Sequence, residues 1–286
     1  MPFDFLDLLN PVFYGFSFML GACIGSFLNV VVYRVPAGKS IIYPPSHCPH
    51  CQHRLAPTEN IPVLGWIWLQ GLCRHCKAPI ALRYPLVEAG TGFLFVLIFW
   101  QIGFSGLTLG YWCFASWLLA LALIDWDTLT LPDALTQSGL VAGLIFQLTW
   151  GFWETGHWSN AVLHWVTSVA GAVVGLWSFE ILFVVATIVF RRPAMGRGDI
   201  KLAAMIGAWL GWQQIFLCLF LAALLGSIVG LIWIGQSDRS GNDRSGNHRP
   251  LTQSAPIPFG PFLAVASLLC ALWGNDWLNR YLQLFY

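Results

Sequence analysis

The stretch "AMGRGDIKLAAMIGAWLGW", Ala194 to Trp212, sets one acid, Asp199, between a Gly-Arg-Gly turn and an apolar helical run. The acid stands out because charge is scarce elsewhere: the 286 residues are 57% hydrophobic and 9% charged, with a mean hydropathy of +0.67. One soluble core of this size cannot hide so much apolar surface, so the composition excludes an ordinary soluble domain and places the chain in a bilayer. Outward from Asp199, the apolar runs long enough to cross ~30 Å of hydrocarbon fall at roughly 12–34, 86–102, 108–125, 131–150, 161–190, 199–211, 213–235 and 258–279, about eight in all. The sixth is short, and only Gly211 separates it from the seventh. The expected fold is an all-α polytopic membrane protein of about eight transmembrane helices with a small cytoplasmic zinc-binding loop domain.

Lys and Arg are retained on the cytoplasmic side during insertion, which orients the spans. With the first helix entering from outside, Arg34, Lys39, Arg54, Arg74, Lys77, Arg83, Arg191, Arg192, Arg197, Lys201, Arg239, Arg244 and Arg249 share one face, and of the fourteen basic residues only Arg280 lies outside. Trp100, Trp150, Trp153, Trp158, Trp209, Trp212, Trp273 and Trp277 then fall near the outer boundary, where an indole anchors well. The start "MPFDFLDLLN" has two acids, no Lys or Arg and no small-residue cleavage site, so the first span is expected to stay rather than be removed as a signal peptide.

This gives a first transmembrane helix over 1–35, a cytoplasmic loop domain over 36–84 and a membrane domain over 85–286. Within the last, 236–257 holds the pentad DRSGN at 238–242 and again at 243–247 and lacks apolar periodicity, so it reads as a flexible cytoplasmic linker.

"CPHC" at 48–51 and "CRHC" at 73–76 give the spacing C-x2-C-x21-C-x2-C. Cys48, Cys51, Cys73 and Cys76 suit a four-thiolate zinc site, because two intervening residues let both thiolates of a knuckle reach one ion. Paired disulfides are the rival, but a reducing cytoplasmic compartment disfavours them. A closed shell has no position for substrate, so its role is to fold a segment too small for its own core. His47, His50, His53 and His75 read as knuckle surface. Cys23, Cys113, Cys218 and Cys270 read as small apolar packing residues within spans.

A carboxylate near hydrocarbon is expensive and tends to mark function. Asp125, Asp127 and Asp133 lie in "DWDTLTLPD" at the inner end of the third span, and Asp199 lies at the inner start of the sixth, so the topology puts both clusters on one side at similar depth. Two adjacent carboxyls share a proton, one activating water while the other donates to a scissile carbonyl. Gly196 and Gly198 are expected to let the backbone turn tightly and bring the helix start close to a partner. The structural alternative makes Asp199 a helix N-cap, with the same reading for Asp133 after Pro132 and a water-facing Asp127. Glu88 and Glu180 fall in or near spans as either buried hydrogen-bonding residues or parts of a pocket.

With these residues in place the chain resembles the type IV prepilin peptidases, membrane aspartic peptidases that process type IV pilins and type II secretion pseudopilins. The resemblance rests on "GSFLNVVVYRVP" (25–36), the double CxxC loop, "ENIPVLGW" (59–66), "RYPLVE" (83–88), "DWDTLTLPD" (125–133), "GRGDIKLAAMIGAWLG" (196–211) and "PFGPFLA" (258–264). It implies that Asp125 and Asp199 are the catalytic pair. It also implies a pilin precursor as substrate, with a short basic leader ahead of a hydrophobic helix, cut on the cytoplasmic side of the bacterial inner membrane. Retention of the cysteine loop resembles the bifunctional members, which methylate the new amino terminus with S-adenosylmethionine. No Rossmann glycine fingerprint accompanies it, so no residues are assigned to that cofactor. No nucleic-acid partner is expected, and the oligomeric state is not legible.

Two other readings compete. A presenilin-like or signal-peptide-peptidase-like enzyme shares GxGD, but Ile124 precedes Asp125 where those enzymes carry Tyr, and no Pro-Ala-Leu occurs. A membrane transporter or assembly scaffold with a zinc docking loop predicts paired repeats across the membrane halves, and none is found.

Overall fold

The computed structural model describes residues 5–191, 196–240 and 258–283. In these residues the chain forms α1 (Phe5–Arg34), the short α2 (Leu64–Trp68), α3 (Arg83–Ile102), α4 (Gly106–Thr128), α5 (Asp133–Thr155), α6 (Trp158–Phe190), α7 (Arg197–Leu210), α8 (Trp212–Ser240) and α9 (Gly260–Gln283). Among the described residues there is no strand, only two isolated antiparallel bridges, His47 with Arg54 and Leu72 with Pro79.

The eight long helices follow the eight apolar runs in order. Six of them are long and apolar enough to cross a membrane, in α1, α3, α4, α6, α8 and α9, and the chain is a multi-pass membrane protein. The remaining two qualify the count of eight. α7 has 14 residues, which at ~1.5 Å per residue reaches about 21 Å against a hydrocarbon core of ~30 Å. α5 carries Gln137, Ser138, Gln147 and Thr149 along its length, which lowers its hydropathy.

Gly211 alone separates α7 from α8. It takes φ +82, where a side chain would be strained, and its N–H closes α7 on the Gly207 carbonyl at 2.8 Å. Of the linker expected over 236–257, residues 236–240 continue α8 and 241–257 lie outside the described residues.

The chain divides into two compact units, Met1–Ile124 and Asp125–Tyr286. In the first, α1 lies close along α3, because a Cβ on Gly21 would sit 2.7 Å from the Thr91 carbonyl oxygen and one on Gly92 would meet the Phe18 ring. Trp112 of α4 stacks on Phe95 of α3 with centroids 5.1 Å apart and donates its indole N–H to the Phe95 carbonyl at 3.0 Å. The glycines let the two helices approach closely, and the Trp112 indole buries apolar surface while its N–H finds an acceptor.

In the second unit α7 is enclosed almost all round, with every residue from Asp199 to Leu210 buried except Lys201. The backbones of α6 and α7 nearly touch: a Cβ on Gly207 would come 2.0 Å from the Gly171 carbonyl oxygen, and one on Gly175 would come 2.4 Å from that of Ala203. Such close approach is available only to small residues. Ser168 donates to the Ala208 carbonyl at 2.5 Å, which adds a polar tie.

Trp209 departs from the expectation of an outer-boundary anchor. It is 2% exposed, its indole lies against Gly143 and stacks on Phe146 at 5.2 Å, and its Nε1–H donates to the Gly139 carbonyl at 2.9 Å. The glycines of α5 make room for the indole inside the unit, so burial beats the interface. Trp153, Trp158, Trp100 and Trp212 are exposed, as anchors require.

Candidate active site and metal centre

Asp125 sits in the last turn of α4. It is 6% exposed, and its Oδ2 accepts a hydrogen bond from the backbone N–H of Gly260 at 2.8 Å. Gly260 opens α9, so a free N–H of that helix start faces the carboxylate, an arrangement favoured by the helix dipole. A Cβ on Gly260 would lie 2.7 Å from Asp125 Oδ2, so only glycine permits this approach. Directly after Asp125 the helix stops: the Leu129 N–H donates to the Asp125 carbonyl at 2.9 Å while Leu129 itself takes φ +53. A branched side chain in that left-handed region is strained, and such strain concentrates at functional sites.

Asp199 stands at the third position of α7 and is likewise 6% exposed. Gly196 holds the N-cap position and no side chain caps the helix, so Asp199 is not the cap that the structural alternative proposed; its own N–H donates to the Gly196 carbonyl at 3.2 Å. The two glycines act differently from a shared tight turn. Gly196 has an ordinary φ of −76. Gly198 supplies closeness instead, since a Cβ there would meet the Leu131 side chain at 2.8 Å in the turn that follows α4. The start of α7 is thereby pressed onto the turn next to Asp125. Asp125 lies within electrostatic reach of Asp199.

Around this pair, Lys201 Nζ bonds Asp133 Oδ1 at 2.5 Å and ties the start of α7 to the start of α5. Asp133 is the first residue of α5, with Pro132 in the cap position, and Asp127 is exposed. Phe259, next to Gly260, lies 6.1 Å from Phe179 of α6 between ring centroids. Glu180 is half-buried along α6. Gly260 is the site residue that sequence reasoning missed. Its signal was present in "PFGPFLA", but no spacing rule tells which atom a glycine gives way to.

The loop domain is built by two equivalent knuckles, 25 residues apart. In the first, the Cys48 N–H donates to the His53 carbonyl and the Gln52 N–H to the Cys48 carbonyl; in the second, Cys73 N–H donates to Ala78 and Lys77 N–H to Cys73. Gln52 and Lys77, each just after the second cysteine of its knuckle, both take positive φ, at 59 and 58. This repeat brings the Sγ atoms of Cys48, Cys51, Cys73 and Cys76 all within 4.8 Å of one another. Cys48 and Cys76 are 3.8 Å apart and Cys51 and Cys73 are 4.0 Å apart. A tetrahedral ion with metal–sulfur bonds of about 2.3 Å needs sulfur–sulfur edges of about 3.8 Å, so the four thiols fit a metal such as zinc. Backbone N–H groups of Cys51 and His50 lower the Cys48 thiol to about 6, while burial and the three neighbouring thiols push Cys76 up to about 11, so the converged thiols titrate as one group. His53 and His75 stack on each other, with centroids 3.5 Å apart, and stand outside the ligand set.

Carboxylates clamp the loop domain. Glu59 accepts from the Ala56 N–H at 2.9 Å and pairs with Arg74 of the second knuckle at 3.7 Å. Glu88, from the second turn of α3, accepts from the Val63 N–H at 2.7 Å, where Val63 is held at φ +63. Of the two readings for Glu88, the hydrogen-bonding one is seen, with the side chain half-buried rather than buried. Cys218 and Cys270 are buried between α8 and α9 as small packing residues, whereas Cys23 and Cys113 are exposed on their helices.

A helical multi-pass membrane protein with two buried aspartates at helix ends and a four-thiol double knuckle defines a narrow class. The comparisons with known proteins agree with it. Residues 19–102 match the Bacterial Peptidase A24 N-terminal domain and residues 112–231 match the Type IV leader peptidase family. Similar proteins include the prepilin leader peptidase/N-methyltransferase of Aeromonas hydrophila, 38% identical with 96% of this chain and 95% of that protein covered. Those of Stutzerimonas stutzeri (36% identical; 99% and 98% covered) and Myxococcus xanthus (35% identical; 96% and 93% covered) carry the same name. No solved structure matches. The chain belongs to the type IV leader peptidase family.

Proposed function

We propose that this protein is a prepilin leader peptidase of the bacterial inner membrane that cuts type IV prepilins or type II secretion pseudopilins, with Asp125 and Asp199 as its catalytic pair. The observation that carries the proposal is the burial of both carboxyls in one compact unit, with Asp125 held on the Gly260 N–H. One carboxyl, ionised, takes a proton from water as its oxygen bonds to the scissile carbonyl carbon. The other, protonated, gives its proton to the carbonyl oxygen. Collapse of the tetrahedral species breaks the C–N bond, and the leaving amine takes up a proton from the pair. The Gly260 hydrogen bond fixes the orientation of one carboxylate oxygen before substrate arrives, the preorganisation such chemistry demands.

The thirteen basic residues assigned to one face by sequence favour a cytoplasmic position for the dyad and the loop domain. We take 85–286 as the peptidase domain and 36–84 as a zinc-folded domain, with Cys48, Cys51, Cys73 and Cys76 as the ligands. Zinc there would supply folding energy, with no open position for substrate.

The names of the relatives support a second activity, N-methylation of the new amino terminus with S-adenosylmethionine as the methyl source. Mass spectrometry of a prepilin recovered with and without the protein tests both readings at once. The expected product lacks its leader and carries one added methyl group. An uncut prepilin overturns the peptidase reading, and a cut but unmethylated product overturns the second activity alone.

A further inference from the structure

The loop that follows α1 folds back onto the helix end in a way that zinc binding and peptide cleavage leave unexplained. Arg34, in the last turn of α1, is buried, and its guanidinium donates from Nη1 to the Ser40 carbonyl at 3.0 Å and from Nη2 to the Pro44 carbonyl at 2.7 Å. The Lys39 N–H returns to the Arg34 carbonyl at 3.0 Å. Ser40 Oγ then accepts from the N–H groups of both Ile42 and Tyr43, at 3.2 and 3.3 Å. Residues 40–44 are therefore a pinned turn, level with the end of the span Pro11–Arg34.

The turn displays apolar side chains to its surroundings: Ile42 is 86% exposed, Tyr43 76% and Ile41 42%. Its side of α1 can be read as well. Val12, Phe16, Met19, Cys23 and Phe27 are exposed and recur every three or four residues, so they form the lipid-facing stripe of the helix. Tyr33, 66% exposed, flanks that stripe in the last turn, and the Lys39 ammonium lies 5.2 Å above its ring. The loop thus leaves the helix on the flank of the lipid stripe, carrying a cation beside an aromatic ring and, two residues on, an apolar tip.

We propose that Ile41, Ile42 and Tyr43 form an interfacial anchor, a turn that inserts into the phospholipid headgroup and acyl boundary beside α1, with Lys39 against a lipid phosphate. Its occupant is the bilayer rather than another protein because the loop leaves the helix on the flank of the lipid stripe and because apolar side chains next to a cation match that boundary chemically. The anchor holds the four-cysteine domain down on the membrane surface.

Photo-crosslinking tests this. Full-length, zinc-loaded protein carrying p-benzoylphenylalanine in place of Tyr43, or in place of the exposed Thr58 as control, is reconstituted into vesicles of phosphatidylethanolamine and phosphatidylglycerol, irradiated and weighed by intact mass spectrometry. The expected result is phospholipid adducts at position 43 at least about fivefold above position 58. Equal yields at the two positions, or adducts mainly to a second polypeptide, overturn the anchor. If the substitution at 43 lowers zinc content, the same comparison with the probe at Ile42 decides the matter by the same criteria.

Discussion

The four-cysteine domain and the enclosed helix α7 solve the same problem, fixing a short segment, by opposite means. The first is held by groups that are present. Four thiols converge, Glu59 and Glu88 accept backbone N–H groups, and Arg34 clips two carbonyls. The second is held by groups that are missing. Gly171, Gly175 and Gly207 bring α6 and α7 into backbone contact, Gly198 lets α7 press on Leu131, and Gly260 brings an N–H to Asp125. A segment with little apolar mass must be stapled; a helix that carries a buried acid needs polar groups brought close enough to offset the loss of bulk water. The two regions should therefore fail in different ways.

The largest failure is expected at the closest glycine. Gly207→Val drives a side chain into a carbonyl already 2.0 Å from the site of its Cβ, so α6 and α7 must part and the protein should not accumulate in membranes. Gly90→Ala, with nothing within 4 Å of the added carbon, should accumulate normally. Quantitative immunoblotting of membrane fractions checks both, and normal levels of Gly207→Val would break the comparison.

Gly260→Ala should spare insertion yet lower the rate of prepilin cleavage by about 10²-fold, because a displacement of about 1 Å at the carboxyl proposed as catalytic costs that much. Single-turnover assays on purified protein measure it. A wild-type rate would mean that the Gly260 hydrogen bond does not position Asp125.

Metal removal should strike only the stapled region. The protein should carry about one zinc per chain, and stripping it with a chelator should open residues 36–84 to proteolysis while α5–α9 stay protected. Metal analysis with limited proteolysis shows the outcome. A metal-free protein with the same cleavage pattern would refute the stapling.

The smallest effect belongs to Lys201→Ala. Its partner Asp133 is exposed and the pair is half in water, so the loss should stay below about 1 kcal/mol and fade further at high salt. Thermal unfolding at two ionic strengths is the check.

Much of this was legible in the sequence because periodicity and spacing carry it. Among the described residues the eight apolar runs form eight long helices in order, and the C-x2-C spacing forms two knuckles that meet. Asp199 is conspicuous for the scarcity of charge around it, and its block, with that of Asp125, carries the resemblance. What stayed hidden depends on which atom meets which across the fold. Trp209 reads like any interfacial indole until Gly139 and Gly143 of α5 are found opposite it. Gly260 reads as a helix start until its N–H is seen on Asp125. Val63 gives no hint of its positive φ, because the carboxylate that holds its N–H comes from Glu88, on another helix. The span count was approximate for a physical reason: α7 is a helix apolar enough to be buried and too short to cross by itself.

The central claim is that Asp125 and Asp199 work as one unit. Its most direct measurement is prepilin processing by Asp125→Asn and Asp199→Asn, each purified as an inserted, zinc-containing protein and followed by mass spectrometry of the substrate. The account predicts intact prepilin with either variant, since the amide can neither give nor take the proton. Mature pilin formed at the wild-type rate by either one would contradict it.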